Sequence, residues 1–204
     1  MHSPHGGSYT WEPVGDMLRS RGHHVAIPTF PTTATGAYWE RNVNAILRMV
    51  QRPSPVIVGH SGAGPLLALV ARWCESARCL YVDAGFRKDA GVHPKLPLVD
   101  RGTGVVPGWA NDADLMELLP DPVTRRRLIE TLTPLPREYF AEAIPYAEPA
   151  DGSAYLLLSP AYADIAANAR ARGWRVRELG SSSHYAMLAE PERVADALLA
   201  LILS

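Results

Sequence analysis

The stretch Pro55-Val56-Ile57-Val58-Gly59-His60-Ser61-Gly62-Ala63-Gly64 decides how the rest of the chain is read. A short β-branched run ends on a glycine-rich turn, and an apolar helical pattern from Pro65 to Trp73 begins at once. Strand, sharp turn and helix with a serine at the apex is the context in which a G-x-S-x-G-like motif carries chemistry. Such a turn strains the backbone of Ser61 and demands small residues two before and two after it. Gly59 and Ala63 meet that demand, with Ala in place of the usual Gly. The hydroxyl then stands clear of the fold above a helix N-terminus, which stabilises negative charge. One competing reading makes Ser61 a helix cap in a plain turn. A phosphate cradle is weaker still, because neither a Walker lysine nor G-x-G-x-x-G spacing is present. The pattern favours a nucleophile.

Outward from this turn, strands and helices alternate. Trp11 to Arg21 has helical apolar spacing through Val14 and Leu18 and stops at Gly22, while His24 to Phe30 reads as a strand ended by Pro31. Tyr38 to Gln51 is amphipathic through Val43, Ile46, Leu47 and Val50, and Cys79 to Val82 is a further strand. From Phe86 to Asp151 the alternation breaks into a proline-rich segment with short helical pieces, Asp112 to Leu119 and Asp121 to Leu132. Order returns with strand Ala154 to Leu158, helix Ala161 to Arg172 and strand Arg175 to Leu179. A loop, Gly180 to Ser183, then leads to a final helix, Glu190 to Leu203. This predicts an α/β fold: a mainly parallel sheet with helices on both faces. It predicts one domain, 1–204, with 86–151 inserted as a short helical lid over the carboxyl ends of the strands, where such sheets place their sites.

Composition narrows the function classes. With 204 residues, 47% of them apolar, the chain can bury a full core, and a net charge of −1 implies no nucleic-acid partner. Arg125-Arg126-Arg127 and the series Arg170, Arg172, Arg175 and Arg177 read as solvated faces. Cys74 and Cys79 have no metal-ligand residues nearby and read as free thiols of a reducing compartment. The first seven residues are not a signal peptide, and Val194 to Leu203 is too short to span a bilayer. A cytoplasmic protein without membrane partners or cofactors is expected.

A serine hydroxyl needs a base. Among seven histidines, His184 follows the last strand and precedes the terminal helix, on the same edge as Ser61. His60 is expected to support the structure with its side chain aimed elsewhere, His23 and His24 to be structural at a strand start, and His2 and His5 to border the site. The base needs an acid to fix its tautomer. Asp83 ends strand Cys79 to Val82 beside the Ser61 turn, and Asp164, in the first turn of a later helix, is the alternative. Both also fit a capping or turn-forming role.

With these residues in place the chain resembles the α/β-hydrolase family over almost its whole length. It shares the elbow Gly59-His60-Ser61-Gly62-Ala63, a lid-like insertion, the chain order Ser61, acid, His184, and a terminal helix. The family's acid usually follows the strand after the lid, where this chain has Ser159-Pro160-Ala161-Tyr162. Some members carry it after the strand before the lid, the place of Asp83. The resemblance therefore implies Ser61, Asp83 and His184 as catalytic residues. It also implies an oxyanion hole from Gly62 N–H and a loop resembling His2 to Trp11. There the usual donor position is Pro4, which has no N–H, so His5 or Gly6 donates or the hole is incomplete. The family's leading strands have no counterpart ahead of this loop. That implies either a start codon assigned too late or a smaller sheet that something else must complete, with a homo-oligomer as one outcome.

The function implied is hydrolysis of a small to medium apolar ester or thioester through an acyl-enzyme. Trp109, Leu115, Met116, Tyr139 and Phe140 are read either as an apolar acyl pocket or as lid core. Two alternatives stand beside hydrolysis: a cofactor-independent lyase or cyclase using the His–Asp pair as base, and a non-catalytic small-molecule binder.

Overall fold

The computed structural model describes all residues except 32–36, 52, 75, 76, 87, 88, 93–96, 182 and 204. Among them, four strands form one parallel sheet: β1 (Val56–His60), β2 (Arg78–Val82), β5 (Ala154–Leu157) and β6 (Arg175–Glu178), in the order β1-β2-β5-β6. Adjacent partners such as Gly59 with Tyr81 and Val82 with Leu156 keep the strand ends level, so the loops that leave them gather along one edge. The strands are short and β-branched or aromatic, and both faces are covered, as expected of a buried parallel sheet.

Helices α1 (Glu12–Ser20) and α9 (Pro191–Leu203) pack on one face, with α8 (Ala186–Ala189) beside them. Helices α2 (Tyr38–Leu47), α3 (Gly64–Ala71) and α7 (Ala163–Ala171) cover the other. The period of two along β2 divides the core between them: Leu80 and Val82 join the α1/α9 side, and Cys79 and Tyr81 join the α2/α3/α7 side. Helix α1 stops where Gly22, at φ +85, takes the left-handed conformation that closes its last turn.

Between β2 and β5 the chain forms a hairpin, β3 (Leu98–Asp100) with β4 (Val105–Pro107), and three short helices, α4 (Asp112–Leu115), α5 (Pro122–Thr131) and α6 (Arg137–Ala141). The proline count of this segment suggested only helical pieces; the hairpin is stitched to it by a bridge from Val105 to Leu135. Residues 87, 88 and 93–96 of the expected lid, and Ser182 of the expected loop, lie outside the described residues.

Three expectations are corrected. Residues 24–30 form no strand: among the described residues none pairs with them as a ladder. Arg125 is not a surface charge: it is buried, and its guanidinium donates to the carbonyls of Leu119 and Pro120 at 2.6 and 3.0 Å. His23 and His24 are exposed rather than structural. Cys74 and Cys79 are free, and no described helix is long and apolar enough to cross a membrane.

Candidate active site

Ser61 sits directly after β1, at φ +55, a region costly for any residue with a Cβ. The strain holds because the surroundings leave the chain no other course. A Cβ on Gly59 would lie 2.2 Å from Cδ1 of the fully buried Leu67, and one on Gly64 would lie 2.0 Å from the carbonyl oxygen of Gly85. Gly64, where α3 begins against the end of β2, is therefore the tightest point of the elbow. The sequence pattern pointed to Gly59 and Ala63 and missed it. Ser61 does not cap α3: its Oγ faces the hydroxyl of Tyr162 at 3.4 Å, and the N-cap position belongs to Ala63.

The two expected partners lie together at the neighbouring strand ends. His184 Nδ1 and Asp83 Oδ2 are 3.0 Å apart, with the carboxylate fully buried. A carboxylate only accepts, so Nδ1 carries the proton of this bond. Asp83, at φ +39, is fixed by three further donors: Leu158 N–H at 2.7 Å, Ser159 N–H at 3.0 Å and Ser159 Oγ–H at 2.6 Å. The end of β5, which lacks a carboxylate of its own, thus supplies the groups that orient one reaching across from β2. Asp164 is exposed on the first turn of α7.

His60 is buried against His184, ring centroids 4.3 Å apart, and its Nε2–H donates to the His184 carbonyl at 3.0 Å. Its side chain is thus aimed at the backbone of His184 and not elsewhere, which corrects that part of the expectation. Burial first, and the neighbouring His184 second, hold its imidazole well below the usual histidine range and so neutral. Tyr162, which the sequence reading passed over, stacks on His184 with centroids 4.8 Å apart and planes 3° from parallel. An aromatic residue five positions after β5 and two after Pro160 was its sole signal.

The loop from His2 to Gly6 follows Met1, which is bonded to Val58 and His60 just ahead of Ser61. His2 is buried with both nitrogens used: Nδ1–H donates to Ser3 O at 2.7 Å, and Nε2 accepts from Phe30 N–H at 3.3 Å. Burial lowers its pKa to about 4. His5 is buried too, donating from Nδ1 to Thr133 O at 3.1 Å while its Nε2 meets no partner. Gly6 N–H is committed to Ser3 O at 3.0 Å, so it is not an available anion donor, which corrects that expectation. Gly62 N–H, in the first turn after β1, has no intrahelical acceptor, and His5 N–H meets no acceptor among the described residues.

This arrangement agrees with comparison to known proteins, where residues 3–197 match the model of the Alpha/beta hydrolase family. The chain belongs to the α/β-hydrolase family. No curated protein sequence matches it. Among solved structures it is similar to an extracellular α/β-hydrolase from a Paenibacillus species (TM-score 0.74, 15% identity, 98% of this chain and 96% of that one). A methylesterase from Arabidopsis gives TM-score 0.71 at 14% identity, over 99% and 96%. Tomato methylketone synthase I gives 0.69 at 11% identity, over 99% and 95%. Further esterase-like neighbours of the family include a polyneuridine aldehyde esterase and a pyrethroid hydrolase. At these identities the likeness shows the fold.

Within the family frame, the residues read as pocket or lid core separate. Leu115 and Tyr139 are core, and Met116 is 58% exposed. Trp109, packed edge-on to Tyr185 at 5.7 Å, and Phe140, stacked on His5 at 5.1 Å, remain partly open beside the site. No group of three or more metal-ligating side chains occurs among the described residues.

Proposed function

We propose that this hydrolase-family chain opens a small to medium apolar ester or thioester, with Ser61 as nucleophile, His184 as base and Asp83 as its orienting acid. The observation that carries the reading is the 3.0 Å contact of His184 Nδ1 with a buried, fully hydrogen-bonded Asp83, at the same sheet edge as a serine in a strained turn. The reaction runs in two halves. His184 Nε2 takes the Ser61 proton as Oγ bonds to the carbonyl carbon. The imidazolium returns that proton to the leaving oxygen or sulfur as its bond to carbon breaks. Water then repeats the sequence and frees the acid. Gly62 N–H and His5 N–H hold the developing oxyanion, and each such donor is worth about 10²–10³ in rate. The segment between β2 and β5 acts as the lid, with Trp109 and Phe140 forming the apolar wall. Ser61 Oγ must leave Tyr162 to meet His184.

A second reading has one observation of its own. Pro4 has no N–H and Gly6 N–H is occupied, so the oxyanion side is sparse. The His184–Asp83 pair could then serve as a general base in lyase- or cyclase-type chemistry without acylation of Ser61. A role in binding alone leaves that pair without a use. A fluorophosphonate probe separates them. Rapid labelling lost in Ser61→Ala supports hydrolysis, and folded protein that takes no label refutes the nucleophile. Turnover that survives Ser61→Ala but not His184→Ala assigns base chemistry.

A further inference from the structure

The segment between β2 and β5 carries α6, a helix of only five residues. A helix that short does not hold itself in water, so its contacts decide where it lies. Two of its neighbouring side chains reach different parts of the molecule. Phe140 stacks on His5, ring centroids 5.1 Å apart. Tyr139 is buried against α2: its hydroxyl accepts from Asn42 Nδ2–H at 3.2 Å, and its ring lies 5.2 Å from that of Tyr38.

Glu142, at the C-cap of α6, supplies what α2 lacks at its own start. The first amides of a helix have no intrahelical acceptor, and Ser, Thr, Asp or Asn at the N-cap normally receives one of them. Here the N-cap is Ala37, whose side chain accepts nothing. The acceptor comes instead from far along the chain: Oε2 of Glu142 takes Tyr38 N–H at 2.8 Å and Oε1 takes Trp39 N–H at 2.9 Å. With both oxygens engaged, direction is fixed as well as distance, and the negative charge faces the positive end of the helix dipole. The turn that joins this anchor to Phe140 is closed by Glu142 N–H donating to Glu138 O at 3.0 Å. Anchor and ring thus belong to one short turn.

We infer that Glu142 is a positioning residue for substrate: by clasping the first amides of α2 it sets α6, and through α6 the ring of Phe140, against which an apolar acyl chain lies. The inference rests on the hydrolase reading above, in which Phe140 forms part of the apolar wall, and it adds a residue that determines chain-length preference. The clasp touches no reacting atom. Its loss therefore weakens binding of the chain in the ground state and the transition state alike, which raises KM and leaves kcat. An acetyl group has no chain to lay on the wall, so its ester does not sense the clasp.

The test compares p-nitrophenyl octanoate with p-nitrophenyl acetate. Glu142→Ala is expected to raise KM for the octanoate about fivefold, the equivalent of one helix cap, with kcat within about twofold and both constants for the acetate unchanged. An equal rise in KM for the two esters overturns the inference. Adding Ala37→Asp to Glu142→Ala gives α2 a cap of its own without reconnecting α6. That pair should regain the parent's melting temperature but not its KM, and recovery of KM would reduce Glu142 to a stabiliser of α2. In a Phe140→Ala background Glu142→Ala should add nothing to KM; a further fivefold rise overturns action through that ring. Hydrogen exchange reads the clasp without turnover. The Tyr139 amide, which donates to Pro136 O at 3.1 Å, should exchange faster in both Glu142 variants, and unchanged exchange refutes the clasp. Protected amides at Tyr81 and Leu156, in the paired strands β2 and β5, show that each variant is folded. A parent chain that turns over neither ester counts against the hydrolase reading, and Tyr139 exchange then decides the clasp by itself.

Discussion

Ser61 stands between two halves of unequal build. On one side Asp83 receives three donors besides His184, and His60 holds the backbone of His184, so the base has a single orientation. On the other, the loop from His2 to Gly6 is tied to the sheet through the two backbone bonds of Met1. The first half is assembled from strands that pair fully, β2 with β5; the second hangs on the unpaired side of β1. The orientation of His184 is therefore fixed by the sheet, whereas the loop that carries the proposed oxyanion donor is held by Met1 at the edge of β1 and by Thr133.

That contrast can be broken from either side. The largest effect is expected on the base side: Asp83→Asn should cut the rate of ester hydrolysis by about 10³–10⁴, because an amide donor no longer holds the Nδ1–H tautomer. Burst kinetics on an activated ester measures this, and a loss under tenfold would remove Asp83 from its assigned place. On the oxyanion side the change should be a gain. Pro4→Ala restores an N–H and is expected to raise kcat/KM for the same ester by about tenfold, less than a full donor's worth because His5 N–H already serves. An unchanged value would place the anion site elsewhere.

A smaller effect belongs to Tyr162. Tyr162→Phe keeps the stack on His184 and frees Ser61 Oγ from a bond of about 0.5–1.5 kcal/mol, so fluorophosphonate labelling should quicken about two- to tenfold. Slower labelling would make the hydroxyl a participant instead of a restraint. The smallest shift is expected from pH. His2 and the Met1 amine have folded pKa values of about 4 and 5, below their ordinary values of 6.5 and 8.0. The unfolded chain thus binds their protons first as pH drops. Stability should be fully present above about pH 8 and fall as pH decreases toward 4. His2→Gln should flatten this fall by a few degrees of melting temperature between pH 6.5 and 4, and a steeper fall in that variant would contradict the assignment.

The elbow was legible in the sequence because its demands are local: a β-branched run, glycines at fixed offsets and an apolar helix. Asp83 and His184 were legible because strand ends and loop order place them at one edge. What escaped depends on contacts between distant segments. Gly64 is fixed by the Gly85 carbonyl, Arg125 is buried by the turn at Leu119 and Pro120, and Tyr162 by the ring of His184. Hairpin β3–β4 has three-residue strands, too short for a period of two to show. Residues 24–30 carried a sound strand signal, but a strand also needs a neighbour, and sequence pattern does not report whether one is there.

The close approach of Gly64 to the Gly85 carbonyl has a practical corollary. A single methyl there, in Gly64→Ala, would lie 2.0 Å from that oxygen, so it must push apart the start of α3 and the turn that follows Asp83. One small substitution, remote from every reacting side chain, thus disturbs Ser61 and Asp83 together.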